Sequence, residues 1–360
     1  MKVAFIVRST LFTVKGGDTF QVIQTAGCLK QFGTLVDIKL THEPIDYNQY
    51  NLLHFFNITR PSDILHHSIR TSVPYVVSPV LIDYSNYDKH YRQGLAGMLF
   101  RLLPAGAIEY LKAVARWIKG TEPALSAIYL WKGQQRSIEK ILKKCTLLLP
   151  NSSLEQQQLV QLYNISANYA IIPNGVGDNF FTPNSRIAKD PLLVLCVARI
   201  EGIKNQLNLI KALNHTPYKL VLIGAPAPNQ LSYYQACRAI AGPNITFIDH
   251  LPQEELIPWY QQAKVHVLPS WFETCGLASL EAGAMGCNLV ITEKGYTREY
   301  FEDYAFYCDP ASPESIRQAI EKAARAPVSG QLRHKIIHHY TWQKAAEKTL
   351  AAYKQVLQKA

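Results

Sequence analysis

Pro269-Ser270-Trp271-Phe272-Glu273-Thr274-Cys275-Gly276-Leu277-Ala278-Ser279-Leu280-Glu281-Ala282-Gly283-Ala284-Met285-Gly286 follows a short apolar run, Val265-His266-Val267-Leu268. The run predicts a buried strand, and the stretch beyond it passes through a glycine into an alanine-rich helix. A strand that ends in a glycine turn and opens a helix makes an anion site. Unpaired N–H groups and the positive end of the helix dipole both face the ligand. Two carboxylates bracket the turn, Glu273 before the glycine and Glu281 inside the helix. With the helix starting near Leu277, Glu281 stands roughly 6–7 Å along its axis at about 1.5 Å per residue. That offset suits a ligand with a phosphate at the helix tip and a hydroxyl-rich ring alongside, the shape of a sugar nucleotide.

Outward from this stretch, strand-like and helix-like runs alternate in both directions, which predicts parallel α/β sheets. In the first half the strand runs are Val3–Val7, Val36–Leu40, Leu52–Phe56, Tyr75–Ser78 and Thr146–Pro150. A helical pattern covers about Thr19–Phe32, and residues 86–144 read as mainly helical. A second alternation follows Ile171-Ile172-Pro173-Asn174-Gly175-Val176, with strand runs at Leu192–Val197, Lys219–Ile223, Ile245–Ile248, Val265–Leu268 and Asn288–Thr292. Helices are expected near 208, 236, 257, 280 and 318, and the polar stretch 177–190 reads as a linker. The chain ends in a helical segment, Trp342–Gln358. Two doubly wound halves are the simplest account, and ligands of such sheets bind at the carboxyl ends of the strands.

The chain has 360 residues, 48% of them hydrophobic and 18% charged, enough for two domains with full cores. No run approaches 18 apolar residues, and the first residues read as a strand, not a signal peptide. Seven scattered cysteines without a C-x-x-C pair argue against a disulfide framework or zinc site, so a cytoplasmic location is expected. The net charge of +10 is uneven. Between Lys89 and Lys144 eleven Lys/Arg face three acids, interleaved with Leu99, Phe100, Leu102, Leu103, Ile108, Leu111, Val114, Trp117, Ile118 and Trp131. Such a stretch can lie on an anionic membrane surface, here its inner face, or hold an anionic acceptor; its plainer reading is solvated helices on a domain core. No nucleic-acid recognition motif accompanies the charge.

Arg199 follows the run Leu192–Val197, and Lys204 lies five residues on, near the next helix. Both cations therefore stand at the carboxyl end of a sheet. Arg grips phosphate oxygens bidentately, and Lys supplies a compact point charge.

These elements together resemble the retaining glycosyltransferases of family 4, which have the GT-B fold of two facing Rossmann-like domains. The resemblance rests on Gly16-Gly17 after the first strand, Ile172-Pro173-Asn174-Gly175-Val176, Arg199 through Lys204-Asn205-Gln206, and Leu222-Ile223-Gly224. It continues through Phe247–Leu251, Pro269-Ser270 to Glu273 and Glu281-Ala282, and Tyr340-Thr341-Trp342. It implies an acceptor-side domain over 1–172, with the 342–360 helix packing back on it, and a donor domain over 173–341. Arg199 and Lys204 would bind and neutralise the donor diphosphate, Glu281 would accept from the ribose hydroxyls, and Glu273 would face the transferred sugar. Cys275, Gly276 and Leu277 would turn N–H groups toward sugar and phosphate. Gly16 and Gly17 would let the first loop approach phosphate or acceptor closely. Gly224, His250 and Leu251 would lie near the base.

The activity implied is transfer of a sugar from a nucleotide-diphosphate sugar to a glycan, polysaccharide or lipid-linked acceptor, with retained anomeric configuration. No Asp-x-Asp occurs in the chain, matching the family's use of protein cations in place of a divalent metal, so neither metal nor other cofactor is expected. The sequence departs from the family at Val80, after Tyr75-Val76-Val77-Ser78-Pro79, where members commonly carry a histidine. His42, His54, His66 and His67 fit that position less well, and Asp83 is as readily a loop carboxylate. Two other readings stay open: a GT-B sugar-nucleotide epimerase and a non-catalytic sugar-nucleotide-binding protein. A dehydrogenase is disfavoured, because no Gly-x-Gly-x-x-Gly follows a strand.

Overall fold

The computed structural model describes residues 1–85, 87–88, 97, 101–118, 120, 125–183 and 186–359. The chain divides into two compact units. One comprises Met1–Ile82, Met98–Asn174 and Trp342–Ala360, the other Asp83–Gly97 and Gly175–Thr341.

The first unit is built on β1 (Lys2–Val7), β2 (Leu35–Leu40), β3 (Leu52–Phe56), β4 (Tyr75–Ser78) and β5 (Leu147–Leu148). They form one parallel sheet in the order β2-β1-β3-β4-β5. Side chains alternate between its faces, as the period of two requires. Ala4, Ile6, Leu53, Phe55 and Val77 meet Ile64 and Leu65 of the helix Pro61–Ser68 and Ile138 and Ile141 of the helix Ala127–Lys144. On the other face Phe5 and Phe56 enclose His54, at ring distances of 4.9 and 4.1 Å. His54 is fully buried, with Nδ1 2.6 Å from the Tyr353 hydroxyl and Nε2 2.8 Å from Ser78 Oγ. Burial pushes its imidazole down to about 3, so it stays neutral and ties the terminal helix Trp342–Lys359 to this sheet. That helix also packs on the helix Gly17–Gln31.

The second unit contains β6 (Asp190–Val197), β7 (Lys219–Ile223), β8 (Ile245–Ile248), β9 (Ala263–Leu268), β10 (Asn288–Thr292) and β11 (Phe306–Cys308). Its parallel sheet runs β11-β10-β9-β6-β7-β8. The chain builds outward from β6 to β8, then returns to the other side of β6 as β9. That reversal puts a topological switch point between β6 and β9, where the two loops leaving their carboxyl ends diverge. β9 is buried along most of its length and β6 over Leu193–Cys196, as strands covered by helices on both faces must be.

Residues 177–190 are not a linker. Phe180 is fully buried in the second unit's core, and Lys189 Nζ donates to the carbonyls of Tyr260 (2.7 Å) and Met285 (2.9 Å). The ammonium thereby closes the C-terminal ends of two helices, where cations are favoured. The polar composition of this stretch concealed both anchors.

Candidate functional site

Both predicted cations leave the sheet at the switch point. Past β6 the chain passes Arg199 and makes a short 3-10 turn, Gly202–Lys204, which Asn205 ends in the left-handed region (φ 60°) before the helix Gln206–Leu213. Asparagine tolerates that conformation because its short polar side chain bonds locally. Here Nδ2 of Asn205 reaches instead to the carbonyls of Pro269 (3.0 Å) and Pro310 (2.8 Å). The Trp271 N–H adds a bond to the Ile203 carbonyl at 2.8 Å. The loops leaving β6 and β9 are thus fastened to each other by buried hydrogen bonds.

Across this junction Lys204 Nζ and Glu273 Oε2 stand 2.7 Å apart, with 22% and 11% of their side chains exposed. Arg199 Nη2 lies 3.0 Å from Glu201 Oε1. Burial alone would lower the Lys204 ammonium, but Glu273 and Glu201 outweigh it and hold the group above its ordinary value. Lys204 is therefore charged at any working pH. The backbone of Glu273 is held on the opposite side, by its N–H to the Lys294 carbonyl (3.0 Å) and its carbonyl to the Tyr296 N–H (2.9 Å). Gly295 makes this approach possible: at φ 106° a Cβ there would come within 2.0 Å of the Glu273 carbonyl oxygen.

The predicted helix exists as Leu277–Ala284, with Gly276 as its N-cap (φ 67°) and Cys275 buried beneath it. The first N–H groups of such a helix lack intrahelical partners. Glu281 is 8% exposed; its Oε1 accepts from Gln253 Nε2 at 2.7 Å and its Oε2 from the Tyr260 hydroxyl at 3.0 Å. Burial pushes its carboxyl up to about 7, although both hydrogen bonds pull the other way.

Gly224 ends β7 at φ 152°, and a Cβ there would lie 2.1 Å from the Ala198 carbonyl oxygen. The glycine serves close packing between the β6 and β7 exits. His250 and Leu251 follow β8 at the far edge of the same sheet, His250 exposed and Leu251 partly so. Arg199, Lys204, Glu273, Cys275 and Gly276 therefore lie on the loops leaving the two central strands, and Leu277 and Glu281 on the helix that follows β9, with Gly224, His250 and Leu251 on the adjacent exits.

Gly16 and Gly17 belong to the first unit, at the head of the helix Gly17–Gln31. Gly16 has extended backbone (φ −151°) open to any residue. Its loop is shaped by Arg8, which donates to Asp18 (2.6 and 3.0 Å), Thr10 (2.9 Å) and the Val14 carbonyl (2.7 Å). The departure at Val80 coincides with backbone strain: a β-branched residue at φ 47° is a true outlier. The next N–H, of Leu81, donates to Glu155 Oε1 at 2.6 Å, while Asn151 N–H occupies Oε2 at 2.5 Å. Fully buried Glu155 thus holds the strained turn.

Sequence reasoning missed Glu155, Asn205 as a clamp, Gln253 and Tyr260. Asn205 stood beside Lys204 in the motif, yet only the fold shows what its amide reaches. Gln253 and Tyr260 carry no local signal, since they meet Glu281 from the preceding helix. Leu99 and Phe100, and the lysine and acid at 119 and 122 of the basic stretch, lie outside the described residues. Among the described residues no group of three or more His, Cys, Asp or Glu could hold a metal ion, and no helix is long and apolar enough to cross a membrane.

A parallel doubly wound sheet with its switch point between β6 and β9 defines a Rossmann-like domain. Residues 178–340, within the second unit, match the family model described as glycosyl transferases group 1. Among curated proteins, it is 26% identical over 258 residues to a D-inositol 3-phosphate glycosyltransferase of Kribbella flavida, covering 60% of this chain and 58% of that one. It is 30% identical over 189 residues to the one from Mycolicibacterium smegmatis, with 48% and 42% covered. The matches thus span about half the length of these relatives. Among solved structures, sucrose-phosphate synthase from Thermosynechococcus elongatus superposes with a TM-score of 0.78 at 16% identity, covering 100% of both chains. The Anabaena protein HepE, crystallised with UDP and glucose, gives 0.71 at 14% identity, covering 98% of this chain and 99% of its own. These likenesses establish the two-unit GT-B fold.

Proposed function

We propose that the protein transfers a sugar from a nucleoside-diphosphate sugar to a hydroxyl of a glycan, polysaccharide or lipid-linked acceptor. The observation that carries this reading is the Lys204–Glu273 pair beside Arg199 at the β6/β9 switch point. A diphosphate seated there meets a permanent guanidinium, a charged ammonium and the head of the helix Leu277–Ala284. Glu281 would take the ribose hydroxyls and Glu273 the hydroxyls of the sugar in transit. The Anabaena neighbour is described with UDP and glucose, which supports a uridine donor as the first to test.

The chemistry proposed is departure of the diphosphate through an oxocarbenium-like transition state, with retained anomeric configuration. Arg199 and Lys204 stabilise the charge that grows on the leaving group. An electrostatic contact of this kind is typically worth about 10²–10³ in rate. With both charges supplied by side chains, transfer needs no divalent metal.

We also place the enzyme at the inner face of an anionic membrane. Supporting this, Trp131 is 88%, Leu102 83% and Ile118 76% exposed on or beside the helices Ala105–Ile118 and Ala127–Lys144, which also carry Lys112, Arg116, Lys132, Arg136, Lys140, Lys143 and Lys144. Apolar anchors beside excess Lys/Arg fit an interfacial surface.

The test of the enzyme reading is nucleoside-diphosphate release from UDP-, GDP- and ADP-sugars, with and without acceptor and with EDTA. Acceptor-stimulated, EDTA-resistant release from one donor is expected, with the product anomer read by NMR. Donor binding without release would favour a non-catalytic sugar-nucleotide-binding protein.

A further inference from the structure

Lys204 cannot offer its ammonium to a diphosphate unchanged, because Glu273 already occupies it at 2.7 Å and Glu201 lies close enough to act on the same charge. A diphosphate arriving beside both carboxylates would meet like charge. The backbones on either side cannot yield. Glu273 is bonded through its N–H and its carbonyl to Lys294 and Tyr296, with Gly295 packed against it. The Lys204 turn is closed by its own N–H to the Glu201 carbonyl (2.9 Å), and Asn205 fastens it to Pro269. What remains free to change is the rotamer of the two long side chains.

We propose that the donor's diphosphate displaces Glu273 from Lys204, and that this exchange of ion-pair partners frees the Glu273 carboxylate to meet the transferred sugar. The inference rests on the donor-site reading above and adds a coupling to it. Without a diphosphate Glu273 is held away by Lys204, so a sugar is engaged only when its leaving group is in place. Glu273 is then both a competitor of the diphosphate and a partner of the sugar, and the two roles give opposite signs in two measurements.

The experiment is calorimetric titration of the full chain with UDP, GDP and ADP and with the corresponding monophosphates. The variants are Glu273→Gln, Glu273→Ala, Lys204→Gln and Glu273→Gln/Lys204→Gln. For the diphosphate that wild type binds, both Glu273 variants should bind about fivefold tighter, the size expected of a partly exposed ion pair. Monophosphate affinity should be unchanged, and release from the nucleotide sugar should fall. In the Lys204→Gln background Glu273→Gln should bring clearly less tightening, because the competition has gone and only charge repulsion is left. Equal or weaker diphosphate binding by both Glu273 variants overturns the exchange. So does equal tightening without Lys204, which would be plain charge repulsion. If wild type binds none of the three diphosphates, the donor-site reading itself falls.

Discussion

The Tyr260 hydroxyl donates to Glu281 Oε2 across 3.0 Å, joining the helix that precedes β9 to the helix that follows it. Burial holds the Glu281 carboxyl at about 7, against an ordinary 4.5, so its protonation changes where an enzyme works. In the role proposed for Glu281, a ribose hydroxyl would donate to the ionised form. Nucleotide-sugar affinity should therefore rise with pH, roughly tenfold between pH 6 and pH 8 for a group titrating near 7. A nucleotide sugar is the right probe, since its diphosphate diester does not titrate in that window. Glu281→Gln should bind more weakly and flatten the profile.

The same shift makes a stability prediction of definite sign. The folded-state value is raised, so the contribution of Glu281 is complete below about pH 4.5 and is lost as pH rises through about 7. The loss is on the order of 3 kcal/mol. In urea denaturation at pH 8, Glu281→Gln should equal or exceed wild type in stability. A variant clearly less stable at pH 8 would contradict this.

Asn205 should prove structural, through the two carbonyls it satisfies. Asn205→Ala takes the amide donor from the Pro269 carbonyl, while the Pro310 carbonyl keeps Asn208 Nδ2 at 3.0 Å, and it forces alanine into a left-handed conformation, costing on the order of 3 kcal/mol. Asn205→Gly keeps the backbone and loses only the clamp, so it should cost about 2 kcal/mol. Denaturation midpoints for both variants would separate the two contributions, and changes below about 0.5 kcal/mol would remove the clamp.

Two glycines should respond oppositely to alanine. Gly224→Ala drives a Cβ to 2.1 Å from the Ala198 carbonyl oxygen and should cost about 3 kcal/mol or more. Gly27 is exposed in the helix Gly17–Gln31, and a Cβ added there would meet nothing within 4 Å. As alanine it should gain up to about 1 kcal/mol. Thermal melts of the pair check both signs.

The proposed membrane surface predicts co-sedimentation with phosphatidylglycerol vesicles, reduced by salt and by Trp131→Ser with Ile118→Ser. Donor binding by the second unit should be unaffected. Equal binding to phosphatidylcholine vesicles, or none to either, would exclude an anionic interface.

What could be read in advance follows from the physics of each feature. Strands buried on both faces are continuous apolar runs, so β3, β4, β7 and β10 stand where Leu52–Phe56, Tyr75–Ser78, Lys219–Ile223 and Asn288–Thr292 predict them; the edge strand β8 also stands at Ile245–Ile248, where only Ile245 is buried. β11 was missed because three residues, two of them only partly buried, carry no pattern. The strand before residue 269, and the turn and helix of the 269–286 stretch, were legible, since each has a local signal. Its electrostatic state did not show. The Lys204–Glu273 pair joins residues 69 apart in sequence, and the raised Glu281 carboxyl depends on burial contributed by another helix. Local chemistry was legible, and the partners that tune it were not.

The most direct test of the donor site is whether affinity for a nucleoside diphosphate depends on its cations. Calorimetry with UDP, GDP and ADP should find one that binds wild type and is held about tenfold or more weakly by Lys204→Ala and by Arg199→Ala, as loss of a charge-assisted contact requires. Binding that neither substitution weakens, or no binding of any of the three, would contradict the assignment.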